Sequence, residues 1–188
     1  SYPANVLVMR FSADRAGMQN LVFSYAPNSI SQGSLSGDGD KGLVFSASLN
    51  NNGMKYVVRI QAETKGGTLS NTGCRLTVKG ADEVVFYVTA DTDYKMNFNP
   101  DFKDPKTYVG VDPAETTCQW ISNAVTQGYT ALFQQHYSDY AALFNRVRLN
   151  LNPSVKTSDI PTPQRLKNYR NGQPDYYLEE LYYQFGRY

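Results

Sequence analysis

Turns rich in glycine and asparagine divide the first ninety residues into short β-prone segments, and this spacing limits the fold more than any other feature of the sequence. The turns lie at Gly17, at residues 50–53, at residues 66–67 and at residues 71–73, because Asn and Gly adopt the positive φ angles of tight turns. Short strands at a spacing of about ten residues are typical of an antiparallel sandwich or barrel. The predicted strands are residues 5–11, 20–25, 42–49, 54–61, 75–78 and 84–88.

The segment after the turn at residues 50–53 has the clearest strand pattern, since apolar and polar side chains alternate there with a period of two. The apolar set, which we expect to face the core, is Met54, Tyr56, Val58 and Ile60. The other set, most of which we expect to face water, is Lys55, Val57, Arg59 and Gln61. Residues 33–42, rich in Gly, Ser and Asp, are predicted to form a loop.

The pattern then changes, after a polar connection near residues 97–112, from strands to helices. The first helix is predicted to begin with Asp112 as its N-cap, Pro113 at its first position and Glu115 at its third. These residue types are favoured at helix starts. We expect it to end near residue 127, because Gly128 is a common helix stop.

A second helix is predicted over residues 130–147. Its apolar stripe, at spacings of three and four, is Leu132, His136, Tyr140, Leu143, Phe144 and Val147. A short strand over residues 148–151 is predicted next, ended by Pro153. The last elements are a short helix with Thr162 as its cap and Pro163 inside it, broken at residues 171–172, and a helix over residues 175–188 with Leu181 and Phe185 on its apolar face.

Composition excludes several classes of function. The chain has 188 residues with 18 Lys+Arg and 17 Asp+Glu, a net charge of +1, and no run of three basic residues, whereas nucleic-acid binders usually show a basic excess. No apolar stretch approaches the roughly 20 residues of a membrane span, and residues 1–8 lack the pattern of a signal peptide. The 15 tyrosines suit either strands or half-wet surfaces that contact sugars.

The acidic residues offer only weak candidates for the paired carboxyl groups that glycoside hydrolysis needs. Residues 38–40 resemble half of a calcium loop but lack its later ligands, so a solvated turn is the better interpretation. Asp91 and Asp93 end a strand, where a turn is sufficient explanation. Glu179 and Glu180 are adjacent on a helix and diverge by about 100°, so they are expected on its wet face.

The remaining polar candidates do not form a site either. His136 lies on an apolar stripe and lacks the nucleophile and orienting partner of a catalytic histidine, so we expect it to be a packed residue. Cys74 and Cys118 can form one bridge, which the sequence leaves open. We therefore predict no catalytic residue, no cofactor site and no metal site in this chain.

Three segments resemble glycoside hydrolase family 95, in the order in which that family has them between its N-terminal β-sandwich and its catalytic barrel. They are residues 136–151 (HYSDYAALFNRVRLNL), 161–166 (PTPQRL) and 175–188 (DYYLEELYYQFGRY). Residues 1–93 are similar to the later strands of the family's sandwich, with weaker motifs.

The resemblance implies an α+β fold: a partial antiparallel β-sandwich over residues 1–96, a linker with helices and a returning strand over residues 97–173, and the start of an absent (α/α)6 barrel over residues 174–188. Members of the family are inverting α-L-fucosidases, or α-L-galactosidases, that act on glycans. None of the family's catalytic positions has a counterpart here, so the implied role is that of a non-catalytic part whose glycan substrate binds the missing barrel. A periplasmic or secreted location is also implied.

Two other functions remain open from the residues. One is a carbohydrate-binding module, in which Trp120 or exposed tyrosines stack on sugar faces. The other is an adhesion or interaction sandwich. If early strands are missing, an open sheet edge also predicts self-association. In the first hypothesis, Leu143, Phe144, Leu181 and Phe185 are expected to be buried against the sandwich or the barrel.

Overall fold

The structure is a computed structural model that describes residues 2–26, 29–151 and 159–187. The chain divides into two compact units, residues 1–136 and 137–188, which are described separately. Pro153 and Tyr188, named above as the ends of predicted elements, lie outside the described residues. The domain bounds predicted at residues 96 and 173 stay predictions.

The first unit contains two antiparallel sheets. Its strands are β1 (Leu7–Ser12), β2 (Gln19–Phe23), β3 (Ser31–Gly37), β4 (Gly42–Leu49), β5 (Lys55–Lys65), β6 (Thr68–Asn71), β7 (Leu76–Ala81) and β8 (Glu83–Thr92). The larger sheet has the order β1-β8-β5-β4-β3 and the smaller one β2-β7-β6. The predicted α+β class, a sandwich followed by helical structure, is confirmed.

The main core lies between the two sheets. Leu43, Ile60 and Phe86 from the larger sheet pack against Leu76 and Val78 from the smaller one, and all five are buried. These apolar side chains recur at every second position of their strands, so each strand contributes one face to the core.

A helix covers part of the opposite face of the larger sheet. This helix, α1 (Pro113–Phe144), begins where predicted, because the Asp112 carboxylate accepts the Ala114 backbone N–H at 2.9 Å. Gly128 interrupts it with φ 73° and ψ 168°, which confirms the predicted stop, although helix continues on both sides. Ile121 and Leu132 from the two parts of α1 pack on Tyr87 of β8.

This helical layer corrects the expectation for the second face of β5. Val57 is buried, and Arg59 and Gln61 are half-buried, although most of this face was expected to be wet. The period of two was assigned correctly, but β5 lies in the middle of the sheet with structure over both faces. Alternation alone does not show whether a second layer is present.

The predicted loop at residues 33–42 is wrong in its first half, because β3 occupies residues 33–37, and right for residues 38–41. The strand is an edge strand, paired with β4 so that Leu35 opposes Phe45 and Gly33 opposes Ala47. A Cβ on Gly33 would lie 2.3 Å from the Ala47 Cβ, so glycine allows the close approach that the pairing needs. The small strand β6 was not predicted at all, since four residues between two turns carry little pattern.

The second unit contains the end of α1, α2 (Thr162–Arg170) and α3 (Tyr176–Arg187). The break at residues 171–172 and the last helix are confirmed. The N-cap of α2 is Pro161, not Thr162, and no side chain caps it. The second helical segment ends at Phe144, short of the predicted residue 147.

The predicted strand over residues 148–151 does not form. Side chains from α3 bond this backbone instead, since Arg187 donates to the Val147 carbonyl at 2.6 Å and Glu180 accepts the Leu151 N–H. Within this chain Phe144 is half-buried and Leu143, Leu181 and Phe185 are exposed, so their expected burial against the barrel stays a prediction. No helix in the described residues is long and apolar enough to cross a membrane.

Two glycines in turns, Gly67 and Gly73, allow a test of how closely the turn between β5 and the smaller sheet packs. Gly67 (φ 64°) joins β5 to the smaller sheet, and a Cβ there would lie 2.4 Å from the Lys79 carbonyl oxygen; Gly73 (φ 59°) has open space around it. Gly73→Ala should cost about 1–2 kcal/mol of strain, and Gly67→Ala about 1–3 kcal/mol more because of overpacking. Urea unfolding of both variants measures the difference, and equal losses would contradict the close approach.

Candidate functional site

A polar cavity of the first unit lies on the face of the larger sheet that α1 partly covers. Its volume is about 360 Å³, at the lower end of the roughly 300–1,000 Å³ typical of small-molecule sites. Its charged and aromatic lining comprises Lys41, Glu63, Lys65, Glu83, Tyr87 and Tyr129, and Thr64 and Val85 complete it. We call this space the Glu63 cavity.

Sheet register explains why these side chains meet. Glu63 opposes Val85 and Lys65 opposes Glu83 across the β5–β8 ladder, so these four side chains share one face. Lys41 joins them from the turn between β3 and β4, where its carbonyl accepts the Ala62 N–H at 2.9 Å.

Tyr87 is the buried anchor of the cavity. Its side chain is fully buried, and its hydroxyl donates to Glu63 Oε2 at 2.8 Å. Burial, and secondly the hydrogen bond to Glu63, raise the pKa of Tyr87 well above its ordinary value. The hydroxyl therefore stays protonated at neutral pH and holds Glu63 in place.

Arg10 holds the second carboxylate. Its guanidinium makes an ion pair with Glu83 at 2.5 Å and lies over the Tyr129 ring, 4.9 Å from the ring centroid. The hydrogen bond from Arg10 is the main reason that the pKa of Glu83 is lowered. Glu83 is therefore ionised at neutral pH.

The arrangement of the two carboxylates bears directly on hydrolysis. Glu63 and Glu83 are diagonal neighbours on one sheet face, and glycosidases of the inverting type use two carboxyl groups that lie roughly 6.5–9.5 Å apart. Such enzymes also need a protonated acid whose pKa is raised. The pKa of Glu83 is lowered instead, so Glu83 cannot supply that acid, and Glu63 is held as the acceptor of the Tyr87 hydroxyl. Both carboxylates are therefore arranged as hydrogen-bond acceptors.

Tyr87→Phe should reveal the role of the hydroxyl. Because the folded-state pKa of Tyr87 is raised, its contribution to stability is complete below the unfolded pKa of about 10 and is lost as the pH rises above it, at up to about 1.4 kcal/mol per pH unit. The variant should be less stable by about 1–2 kcal/mol at pH 7 and should lack this alkaline component. Urea midpoints from pH 7 to 11 measure both effects, with exposed Tyr182→Phe as the control; the same alkaline slope in Tyr87→Phe would contradict the assignment.

The strand and turn carboxylates that the sequence analysis considered for catalysis each have a separate structural partner. Asp38 pairs with Arg59 at 3.0 Å, so the turn at residues 38–40 is tied to the sheet. Asp93 is buried and accepts the Lys55 N–H at 3.0 Å, and Asp91 accepts the Thr92 N–H at 2.9 Å. These carboxylates support backbone turns and one ion pair.

The candidate residues on the helices do not form a common site either. Glu179 accepts the Tyr169 hydroxyl at 2.9 Å, while Glu180 accepts the Leu151 N–H. His136 is half-buried, and Trp120 is half-buried beside a separate cavity of about 250 Å³.

The two cysteines are not bridged: Cys74 is half-buried and Cys118 exposed, both as free thiols. No cluster of metal-ligating side chains occurs in the described ranges of the chain.

Sequence reasoning missed Glu63, Glu83 and Tyr87. The signal that could have found them lies in β8, where residues 84–88 are apolar or aromatic at every position. A strand without alternation is buried on both faces, so the odd-numbered residues must meet a second layer. Glu63 and Glu83 share the side of Tyr87 once the register is known.

Comparison with known families places the chain. Residues 1–97 match the family model described as "Glycosyl hydrolase family 65, N-terminal domain", and residues 128–188 match "Glycosyl hydrolase family 95 catalytic domain". The second match begins at Gly128, where α1 is interrupted.

Curated relatives point the same way. "Probable alpha-fucosidase A" of Aspergillus niger is 32% identical over 199 aligned residues, covering 100% of this chain and 24% of the relative. "Alpha-L-fucosidase 2" of Arabidopsis thaliana is 32% identical over 155 residues, covering 80% of this chain and 17% of the relative. This chain therefore spans about a quarter or less of the length of these relatives. It belongs to glycoside hydrolase family 95, of which it carries the N-terminal β-sandwich and a segment of the catalytic domain.

Proposed function

We propose that this chain is a non-catalytic part of an inverting α-L-fucosidase-like hydrolase. It forms the sandwich and the helical connection that support the catalytic barrel, and the glycan substrate is cleaved in that barrel. The relatives named as α-fucosidases support this proposal, since one of them aligns with the whole chain over only 24% of its own length.

One observation carries the non-catalytic part of the proposal: the carboxylates are committed to the fold. The two that share a cavity are bonded to Tyr87 and Arg10. Of the others that the sequence brought forward, Asp38 pairs with Arg59, Glu179 accepts a tyrosine hydroxyl, and Asp91, Asp93 and Glu180 accept backbone N–H groups. A glycosidase needs one carboxylic acid and one carboxylate that converge on the scissile bond, and these groups do not form such a pair.

The purified chain should therefore release no 4-nitrophenol from 4-nitrophenyl α-L-fucoside or α-L-galactoside above the buffer rate between pH 4 and 8. The reason is that Glu83 is ionised and Glu63 accepts the Tyr87 hydroxyl, so neither carboxylate is arranged to protonate the leaving group. A catalytically competent fucosidase, assayed beside it, serves as the positive control. Turnover that scales with the concentration of the chain would overturn the non-catalytic role.

A further inference from the structure

We propose that the Glu63 cavity is a binding site for one neutral sugar unit. The cavity lies wholly within the first unit and uses the sandwich and α1. The proposal goes beyond the supporting role given above, and it stands whether or not the parent polypeptide hydrolyses fucosides.

The cavity combines fixed groups with unused bonding capacity. Glu63 and Glu83 each use only Oε2 in bonds to Tyr87 and Arg10. Their Oε1 atoms hold no hydrogen bond in the part of the chain that the structure describes. Carboxylates held by one oxygen can each accept a ligand hydroxyl with the other, at little cost in lost side-chain freedom.

Two lysines supply hydrogen-bond donors beside the glutamate acceptors. Lys41 and Lys65 both line the cavity, and among the described residues their ammonium groups have no ion-pair partner within 4.0 Å. A ring of acceptors and donors around a space of about 360 Å³ suits a ligand that presents hydroxyl groups on several sides, since each hydroxyl both donates and accepts.

Charge selects a neutral ligand. An anionic ligand would face the two glutamates, and a cationic ligand would face the two lysines. The lining carries positive and negative side chains together. A charged ligand is therefore attracted by one pair of residues and repelled by the other, and the repulsion disfavours its binding. A neutral polyhydroxylated ring meets neither penalty.

The test uses a series of sugars that differ mainly in charge: D-galactose, L-fucose, D-galacturonate and D-galactosamine. In ¹H–¹⁵N NMR titrations of the chain, the two neutral sugars should shift the amides of Lys41, Glu63, Lys65, Glu83 and Tyr129, with dissociation constants on the order of millimolar, as expected for so small a ligand. The two charged sugars should bind at least about fivefold more weakly.

Two variants locate the binding. Glu63→Gln keeps an acceptor for Tyr87 but removes the charge, and Lys65→Ala removes a donor; each should weaken neutral-sugar binding by about 5–10-fold. The matched controls, Glu115→Gln and Lys79→Ala, lie on exposed surfaces away from the cavity and should leave binding unchanged. Circular dichroism confirms that all four variants are folded.

Three results would overturn the site: no saturable shift with either neutral sugar at 100 mM, equal or tighter binding of galacturonate or galactosamine, or shifts that map to Trp120 and survive both cavity variants. Since none of these outcomes involves hydrolysis, they leave the proposed non-catalytic role to its own assay.

Discussion

Phe86→Ala is expected to lower the free energy of unfolding by about 3–5 kcal/mol, because it removes a fully buried ring and leaves a cavity. Phe86 is 1% exposed. Its ring stacks on Phe23 of the smaller sheet at 4.6 Å and meets Phe11 edge-on at 6.0 Å, so one side chain joins both sheets. Since domains are stable by only about 5–15 kcal/mol, this loss is a large part of the total.

The control is Phe102→Ala, the same change at a ring that is 84% exposed. It should alter stability by no more than about 0.5 kcal/mol. Urea unfolding followed by circular dichroism compares the two variants. Equal losses, or a loss below 1 kcal/mol for Phe86→Ala, would show that the two sheets do not share the core described here.

Asp175→Asn is expected to have a comparable effect on the second unit, about 3–5 kcal/mol, because it leaves a buried positive charge without its partner. Asp175 accepts two hydrogen bonds from Arg165, at 2.9 and 3.0 Å, and a third from the Leu178 N–H at 2.9 Å. Arg165 is buried and also lies over the Tyr177 ring. The pair therefore ties α2 to the start of α3.

Asp112→Asn is the matched control, since Asp112 also caps a helix but is exposed and has only a distant ion pair with Lys55, at 3.7 Å. Asn is about as good an N-cap as Asp, so this variant should lose little stability. Amide hydrogen exchange in α2 and α3 measures the effect in the second unit. Unchanged protection of these helices in Asp175→Asn would mean that the buried pair does not hold them together.

The sequence predicted the elements whose ends are set by local chemistry. The cap at Asp112, the break at Gly128 and the turn at residues 50–53 all lie where the residue types place them. Each is decided by a few neighbouring residues, so no knowledge of the tertiary structure was needed.

The errors arose where distant partners decide the outcome. The strand β3 exists because β4 pairs with it, although its Ser and Gly residues have little intrinsic preference for strands. The backbone at residues 148–151 pairs with no strand among the described residues, and the α3 side chains of Arg187 and Glu180 bond the backbone at Val147 and Leu151. Both outcomes depend on residues that are remote in sequence.

The Glu63 cavity could not be predicted from the sequence for the same reason. Glu63 and Glu83 are twenty positions apart and look like ordinary wet residues until the β5–β8 register places them on one face. Tyr129 joins them only because α1 returns over the sheet. The family could be recognised from residues 136–151 and 175–188, because a sequence motif is defined by the order of its residues and does not require knowledge of their contacts.

The most direct test of the non-catalytic role compares the chain with a Glu63→Gln/Glu83→Gln variant in the α-L-fucoside assay. We predict that both release 4-nitrophenol at the buffer rate, while the variant loses little stability, because surface ion pairs such as that of Arg10 contribute little. A rate in the native chain that disappears in a folded variant would contradict this prediction, since it would make the two carboxylates a catalytic pair.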